Sequence, residues 1–136
     1  MTVIGAKELK ARLAASPGGA YLFFGEEEHL KRVYLSRFRA LVTENTEFNV
    51  TTLEVTESDP ISQIRAEFSR MPFLSPLRFL DVRGLSLHKL SDKESEELCA
   101  LLSDCPEDLI CIFYFFECDI PFASNIPRTQ KKLKDL

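Results

Sequence analysis

Two unbroken apolar runs anchor the pattern: Ala20 to Phe24, and the eight residues Leu109 to Phe116 that follow Asp108. Runs of this length bounded by turn signals predict strands covered on both faces, as in a parallel sheet. Leu77 to Arg83 predicts a further strand, ended near Gly84. Phe48 to Val55 alternates less cleanly, with Phe48, Val50, Thr52 and Glu54 on one side, which suits a sheet edge. Helical spacing fills the gaps between these strands. Gly5 to Leu13 predicts a short helix with Leu9 and Leu13 on one face, stopped by Ser16-Pro17-Gly18-Gly19. Glu26 to Thr43 predicts a long helix with an apolar stripe of Leu30, Val33, Tyr34, Phe38, Leu41 and Val42. Its bases Lys31, Arg32, Arg37 and Arg39 read as a solvated face. Asp59 and Pro60 open another helix as cap and first residue, with Ile61, Ile64, Phe68 and Met71 as its inner stripe. Ser91 and Glu94 have capping-box spacing before a helix carrying Leu98, Leu101 and Leu102 inward. Pro121 and Pro127 mark a loop, and Arg128 to Leu136 predicts a basic helix. Strands alternating with helices predict a doubly wound α/β domain, three layers deep, around a mostly parallel sheet.

Composition narrows the function classes. The 136 residues are 45% apolar and 28% charged, an ordinary globular balance for one domain. A formal charge of −4 and a pI near 5.3 argue against a domain that holds nucleic acid by its own charge. No apolar run reaches membrane-spanning length and no signal peptide opens the chain, so a cytoplasmic protein without a membrane partner is expected. Cys99, Cys105, Cys111 and Cys118 form no C-x-x-C pair, and His29 and His88 have no patterned partners. No metal site is expected, and the cysteines read as reduced core residues.

The candidate chemistry lies in Tyr21-Leu22-Phe23-Phe24-Gly25-Glu26-Glu27-Glu28-His29-Leu30-Lys31, a strand, a glycine turn and a helix start. A phosphate loop needs this arrangement, because the turn aims backbone N–H groups at an anion. Gly25 takes the first glycine, and Lys31 falls where the phosphate lysine would. Leu30 replaces the second glycine, and Arg32 replaces the hydroxyl that would hold magnesium. Glu26, Glu27 and Glu28 suit a helix N-terminus but repel a triphosphate. The reading is a P-loop scaffold with a degenerate site, no bound nucleotide cofactor and no catalytic residues.

The chain resembles the N-terminal, AAA+-like domain of the delta subunit of bacterial DNA polymerase III, the clamp-loader subunit that opens the sliding clamp. Three segments carry the likeness: Tyr21 to Glu27, Phe48-Asn49, and Met71-Pro72-Phe73-Leu74-Ser75-Pro76-Leu77-Arg78-Phe79-Leu80. The tail Arg128-Thr129-Gln130-Lys131-Lys132-Leu133 is similar to the family's basic helix. The resemblance implies a non-hydrolysing subunit, not an enzyme by itself, that belongs to the polymerase holoenzyme. It implies a helical lid, a collar domain and a last strand beyond these residues, with the lid and collar joining the other loader subunits. DNA would be met only as part of that complex. Without the last strand, Tyr21–Phe24 is expected to have an open edge, prone to artificial pairing.

The resemblance also implies a binding site. An apolar pair in the position of Phe73 and Leu74 projects into a hydrophobic pocket of the clamp, with Pro72 and Arg78 as weaker rim positions. Two bulky side chains on a proline-braced turn lose little entropy on docking. On the residues alone, Phe73 and Leu74 instead plug the helix–strand junction, as apolar residues beside strands usually do. With the resemblance, at least one of the two is expected outside. Phe68 and Met71 are expected to support the helix from within.

Two other functions compete. A working P-loop NTPase would use Asp81 or the Glu117-Cys118-Asp119 acids as its magnesium carboxylate. A receiver-like signalling domain would use Glu26 to Glu28 with Asp81, but its later lysine is missing. No Ser/His/Asp or Cys/His spacing supports a nucleophile.

Overall fold

The computed structural model describes residues 6–15, 17–24, 28–56 and 58–115. Helix α1 (Ala6–Ala15) leads into strand β1 (Gly19–Phe23), helix α2 (Glu28–Arg39), a single helical turn α3 (Thr46–Asn49) and strand β2 (Val50–Glu54). Helix α4 (Pro60–Phe68), strand β3 (Arg78–Arg83), a 3-10 turn at Leu87–Lys89, helix α5 (Asp92–Ser103) and strand β4 (Leu109–Tyr114) follow. The four strands are all parallel, in the order β1-β4-β3-β2. This is the three-layer α/β architecture the pattern predicts.

Strand composition explains the order. β4 is buried at every position and lies between β1 and β3. β2, with Thr51, Thr52 and Glu54, takes one edge. β1 pairs only with β4 among the described residues, so its other side is an edge there. Alternation along the strands sorts the core into two layers. Phe79, Ile110, Ile112, Tyr114, Tyr21 and Phe23 meet Tyr34, Leu35 and Phe38 of α2, with Leu9 and Leu13 of α1 at the margin. Leu80, Val82, Leu109, Cys111, Phe113 and Phe115 meet Ile61, Ile64 and Phe68 of α4 and Leu98, Cys99 and Leu102 of α5. The capping box forms: Ser91 Oγ accepts the Glu94 N–H and Glu94 Oε1 accepts the Ser91 N–H, each at 3.1 Å. Gly84 ends β3 at φ 80°, a conformation that favours glycine.

Several expectations need correction. Helix α2 ends at Arg39, short of Thr43, and its inner stripe keeps Tyr34, Phe38 and Val42 but takes Lys31 and Leu35 in place of Leu30 and Val33. Lys31, Tyr34, Leu35, Phe38 and Val42 point inward, whereas Leu30 is 40% exposed. Lys31 therefore does not belong to a solvated face. Phe48 lies in α3, not in β2, and Met71 lies past the end of α4, 79% exposed. Asp59 holds the N-cap position with Pro60 first in α4, but its φ is 52° and its side chain makes no capping bond. The polar link there comes from Gln63, whose Nε2 donates to Thr56 Oγ1 and to the Ser58 carbonyl, each at 2.9 Å. Gly25, Glu26, Glu27, Cys118 and the Arg128–Leu136 helix lie outside the described residues.

Candidate functional site at the two ends of the sheet

A parallel sheet has two chemically distinct ends. Residues following β1 and β4 gather at the carboxyl end, and residues preceding β2 and β3 gather at the amino end. Lys31 and Glu28, the described part of the degenerate phosphate loop, belong to the first, and Phe73-Leu74 to the second.

At the carboxyl end, Lys31 is satisfied within the chain. Its Nζ lies 2.6 Å from Glu28 Oε1 and donates to the buried Phe115 carbonyl at 2.7 Å. The ammonium sits 5.2 Å from the centre of the Tyr114 ring. Tyr114 donates its hydroxyl to Glu28 Oε2 at 2.8 Å. The hydrogen bond from Lys31 holds the Glu28 carboxyl below its usual range, with Tyr114 adding to the effect. Burial pushes the Tyr114 hydroxyl up, and Glu28 pushes it further. A carboxylate of the chain thus occupies the lysine that a phosphate would need. Leu30 and Arg32 are exposed and contribute no glycine turn or magnesium hydroxyl.

Deeper on the same face, Asp81 is fully buried between Arg83 Nε at 3.0 Å and Arg39 Nη2 at 3.5 Å. Burial raises its pKa, and Arg83 and Arg39 oppose that rise. Its second oxygen, Oδ1, is buried without a partner. Both of its cations come from the chain, an arrangement of a structural acid rather than an open magnesium ligand. Among the described residues, no group of three or more His, Cys, Asp or Glu could hold a metal ion.

The amino end is built in the opposite sense, with polar groups inside and apolar groups outside. Asn49, with 0% exposure, lies beneath the segment after α4. Its Oδ1 accepts the Phe73 N–H at 2.7 Å, and its Nδ2 donates to the Phe73 carbonyl at 2.8 Å and the Glu44 carbonyl at 2.9 Å. Asn45 Nδ2 reaches the Leu74 carbonyl at 3.3 Å. Ser75 closes the turn by donating its hydroxyl to the Leu77 carbonyl at 2.7 Å. Two residues here are left-handed, Asn45 (φ 49°) and Leu74 (φ 48°). Asparagine tolerates this, but for leucine it costs roughly 1–2 kcal/mol.

With its backbone fixed from below, the segment turns its side chains outward. Phe73 is 49% exposed and Leu74 73%. Phe48 of α3 joins them, 49% exposed, its ring 5.1 Å from that of Phe73. Met71 completes the tip. Five large apolar residues are exposed among the described residues, and four belong to this one cluster. Concentration of that kind marks a contact surface, unlike single exposed side chains.

Arg78, expected as a rim position, is 1% exposed and faces inward. Its guanidinium pairs with the Glu67 carboxylate and donates to the Glu67 carbonyl at 2.6 Å. It joins the end of α4 to the start of β3, and no partner can reach it. Pro72 is half-buried beside the tip. The sequence reading took Phe48-Asn49 as part of the resemblance and as the opening of a strand, but gave Phe48, Asn45 and Asn49 no place in the site. The signal was present in Glu44-Asn45-Thr46-Glu47-Phe48-Asn49, two asparagines bracketing an aromatic residue. Asparagine favours turns and local backbone bonding over strand continuation.

The comparisons with known proteins bear on the fold. The chain is structurally similar to the Bacillus subtilis DNA clamp loader delta protein, with a TM-score of 0.70 at 21% sequence identity. The match covers 94% of this chain and 39% of that protein, so this chain spans about two-fifths of its length. No protein-family model matches, and no curated protein matches in sequence. At this identity the likeness establishes a shared fold. No helix among the described residues is long and apolar enough to cross a membrane.

Proposed function

We propose that this domain acts in DNA replication as a clamp-loader delta-like module that grips the sliding clamp. The Phe73-Leu74 tip, widened by Phe48 and Met71, enters an apolar pocket of the clamp. The observation that carries this reading is the tip itself: four exposed apolar side chains, with the Phe73 backbone held by a buried asparagine. The shared fold with a clamp loader delta protein supports the choice of partner. Docking a rigid tip loses little conformational entropy, so most of the apolar contact energy is retained as affinity.

The domain works without hydrolysing ATP. The ion pair of Lys31 with Glu28 supports this, because a nucleotide would have to displace a carboxylate already in contact with the lysine. The other loader subunits are its partners in the assembled machine, and it meets DNA only there. The test is calorimetric titration of the cognate clamp with the domain and with Phe73→Ala/Leu74→Ala. The double variant is expected to stay folded and to lose at least ~2 kcal/mol of binding energy, the usual hot-spot scale. Equal affinity in the two titrations would remove the assignment.

A further inference from the structure

Resting on that reading, we infer that Asn49, assisted by Asn45, is a positioning residue for the tip: it holds the Phe73-Leu74 backbone in its binding conformation before any partner arrives. Phe73 uses both of its backbone polar groups on one side chain. Asn49 Oδ1 accepts its N–H and Asn49 Nδ2 donates to its carbonyl, at 2.7 Å and 2.8 Å. The amide has no contact with solvent, so water does not compete for these bonds. The third bond of Asn49, to the Glu44 carbonyl, fixes the amide plane from the side opposite the tip.

The arrangement resists a real opposing force. Leu74 stands in the left-handed region, where a leucine does not rest on its own. Asn45 bonds the Leu74 carbonyl, and is itself left-handed, so the two left-handed residues face each other across the turn. Leu74 is tied to Asn45, whose carbonyl in turn accepts the Asn49 backbone N–H at 3.0 Å. Without Asn49 the turn would relax, and Phe73 and Leu74 would sample positions that do not fit one pocket. A partner would then have to order the tip as it binds.

Asparagine is needed for its chemistry as well as its size. Aspartate keeps the acceptor for the Phe73 N–H but replaces both donor bonds by an oxygen facing two carbonyls. Glutamine keeps the amide but carries it one methylene too far. The two alterations fail for different reasons, and neither touches the exposed face.

The experiment reads two quantities on the folded domain: clamp affinity, and hydrogen exchange of the Phe73 amide. Asn49→Ala and Asn49→Asp are expected to weaken clamp binding by about tenfold or more and to speed Phe73 exchange by a similar factor. Asn45→Gly keeps the left-handed backbone and removes only the amide, and a loss of about threefold is expected. Ile64→Val, which loosens the opposite core layer, serves as the stability control and is expected to leave affinity unchanged. Should the Asn49 variants fail to fold, Asn45→Gly decides the matter alone. Affinity within about twofold, or an unchanged Phe73 amide, in the folded variants overturns the inference. If the unaltered domain binds no clamp, the clamp reading fails. Phe73 exchange then still decides whether Asn49 holds the tip.

Discussion

The two ends of this sheet solve opposite problems with similar material. At the carboxyl end Lys31 turns on Glu28, and deeper in the sheet Arg83 and Arg39 turn on Asp81. At the amino end, polar groups are drawn inward under the backbone, and apolar side chains are left facing water. Self-satisfaction leaves Lys31 of the first end paired within the chain. At the second, the polar groups are spent on rigidity, so the exposed surface is both apolar and fixed. A parallel sheet offers a ligand crevice at its carboxyl end by default. Here Lys31, the cation a phosphate would need, is already paired with Glu28, and the exposed apolar cluster lies at the other end.

The largest expected effect tests whether Arg78 belongs to the inside or the outside of the amino end. Arg78→Met leaves the Glu67 carbonyl without its donor and the Glu67 carboxylate with Arg70 alone. Removing one partner of a buried pair typically costs 3–5 kcal/mol, and partial exposure of Glu67 places this case at about 3 kcal/mol. Urea unfolding measures it. Clamp affinity of the folded variant is expected to stay close to that of the parent. A variant of unchanged stability that binds weakly would put Arg78 back on the interface.

Next in size is the carboxyl end. Lys31→Met keeps the stem but strips the Phe115 carbonyl and Glu28 of a donor, an expected loss of about 2 kcal/mol at neutral pH. The pH dependence has a definite sign. The Glu28 carboxyl is depressed in the folded state. Its pairing therefore stabilises fully above the ordinary glutamate range and is lost as pH falls through the lower folded value. The gap between parent and variant should narrow in that acid window, leaving the part due to Phe115. A gap that widens as pH falls would contradict the Glu28–Lys31 pairing. Neither protein is expected to bind ATP with magnesium, and micromolar binding by the parent would reopen the carboxyl end as a nucleotide site.

How much of this was legible in the sequence depended on whether a residue's role followed from its period. The eight-residue run after Asp108 placed β4 in the middle, and the threonines of β2 placed it at an edge, because burial is what a strand's pattern records. The capping box at Ser91 was legible for the same local reason. Lys31 and Arg78 were not. Each is a long cation whose stem packs as an apolar residue does, with its charge met by groups distant in the chain, the Phe115 carbonyl and Glu67. Met71 fitted the period of α4, but the helix stops at Phe68, before that period brings Met71 inward. Phe48 read as strand because the local pattern cannot show that Asn49 reaches Phe73, 24 residues on. The apolar pair itself was ambiguous until exposure was known. Hydrophobicity says that a side chain prefers contact, not whether the partner is its own chain.

The smallest expected effect separates the ends most finely, because stability and binding should move in opposite directions. Leu74→Gly removes a side chain that is 73% exposed and so contributes little to the core. It also releases roughly 1–2 kcal/mol of left-handed strain. Against this, glycine gains about 0.4–1 kcal/mol of freedom in the unfolded chain. The balance is a domain more stable by about 0.5–1 kcal/mol, read as a raised urea midpoint. Clamp affinity should fall, since half of the apolar pair is gone. Lys31 offers no such combination, because its ammonium already serves the fold. A Leu74→Gly protein that lost stability would mean that the leucine is held by packing instead of strain. The amino end would then be an ordinary loop rather than a surface maintained at the fold's expense.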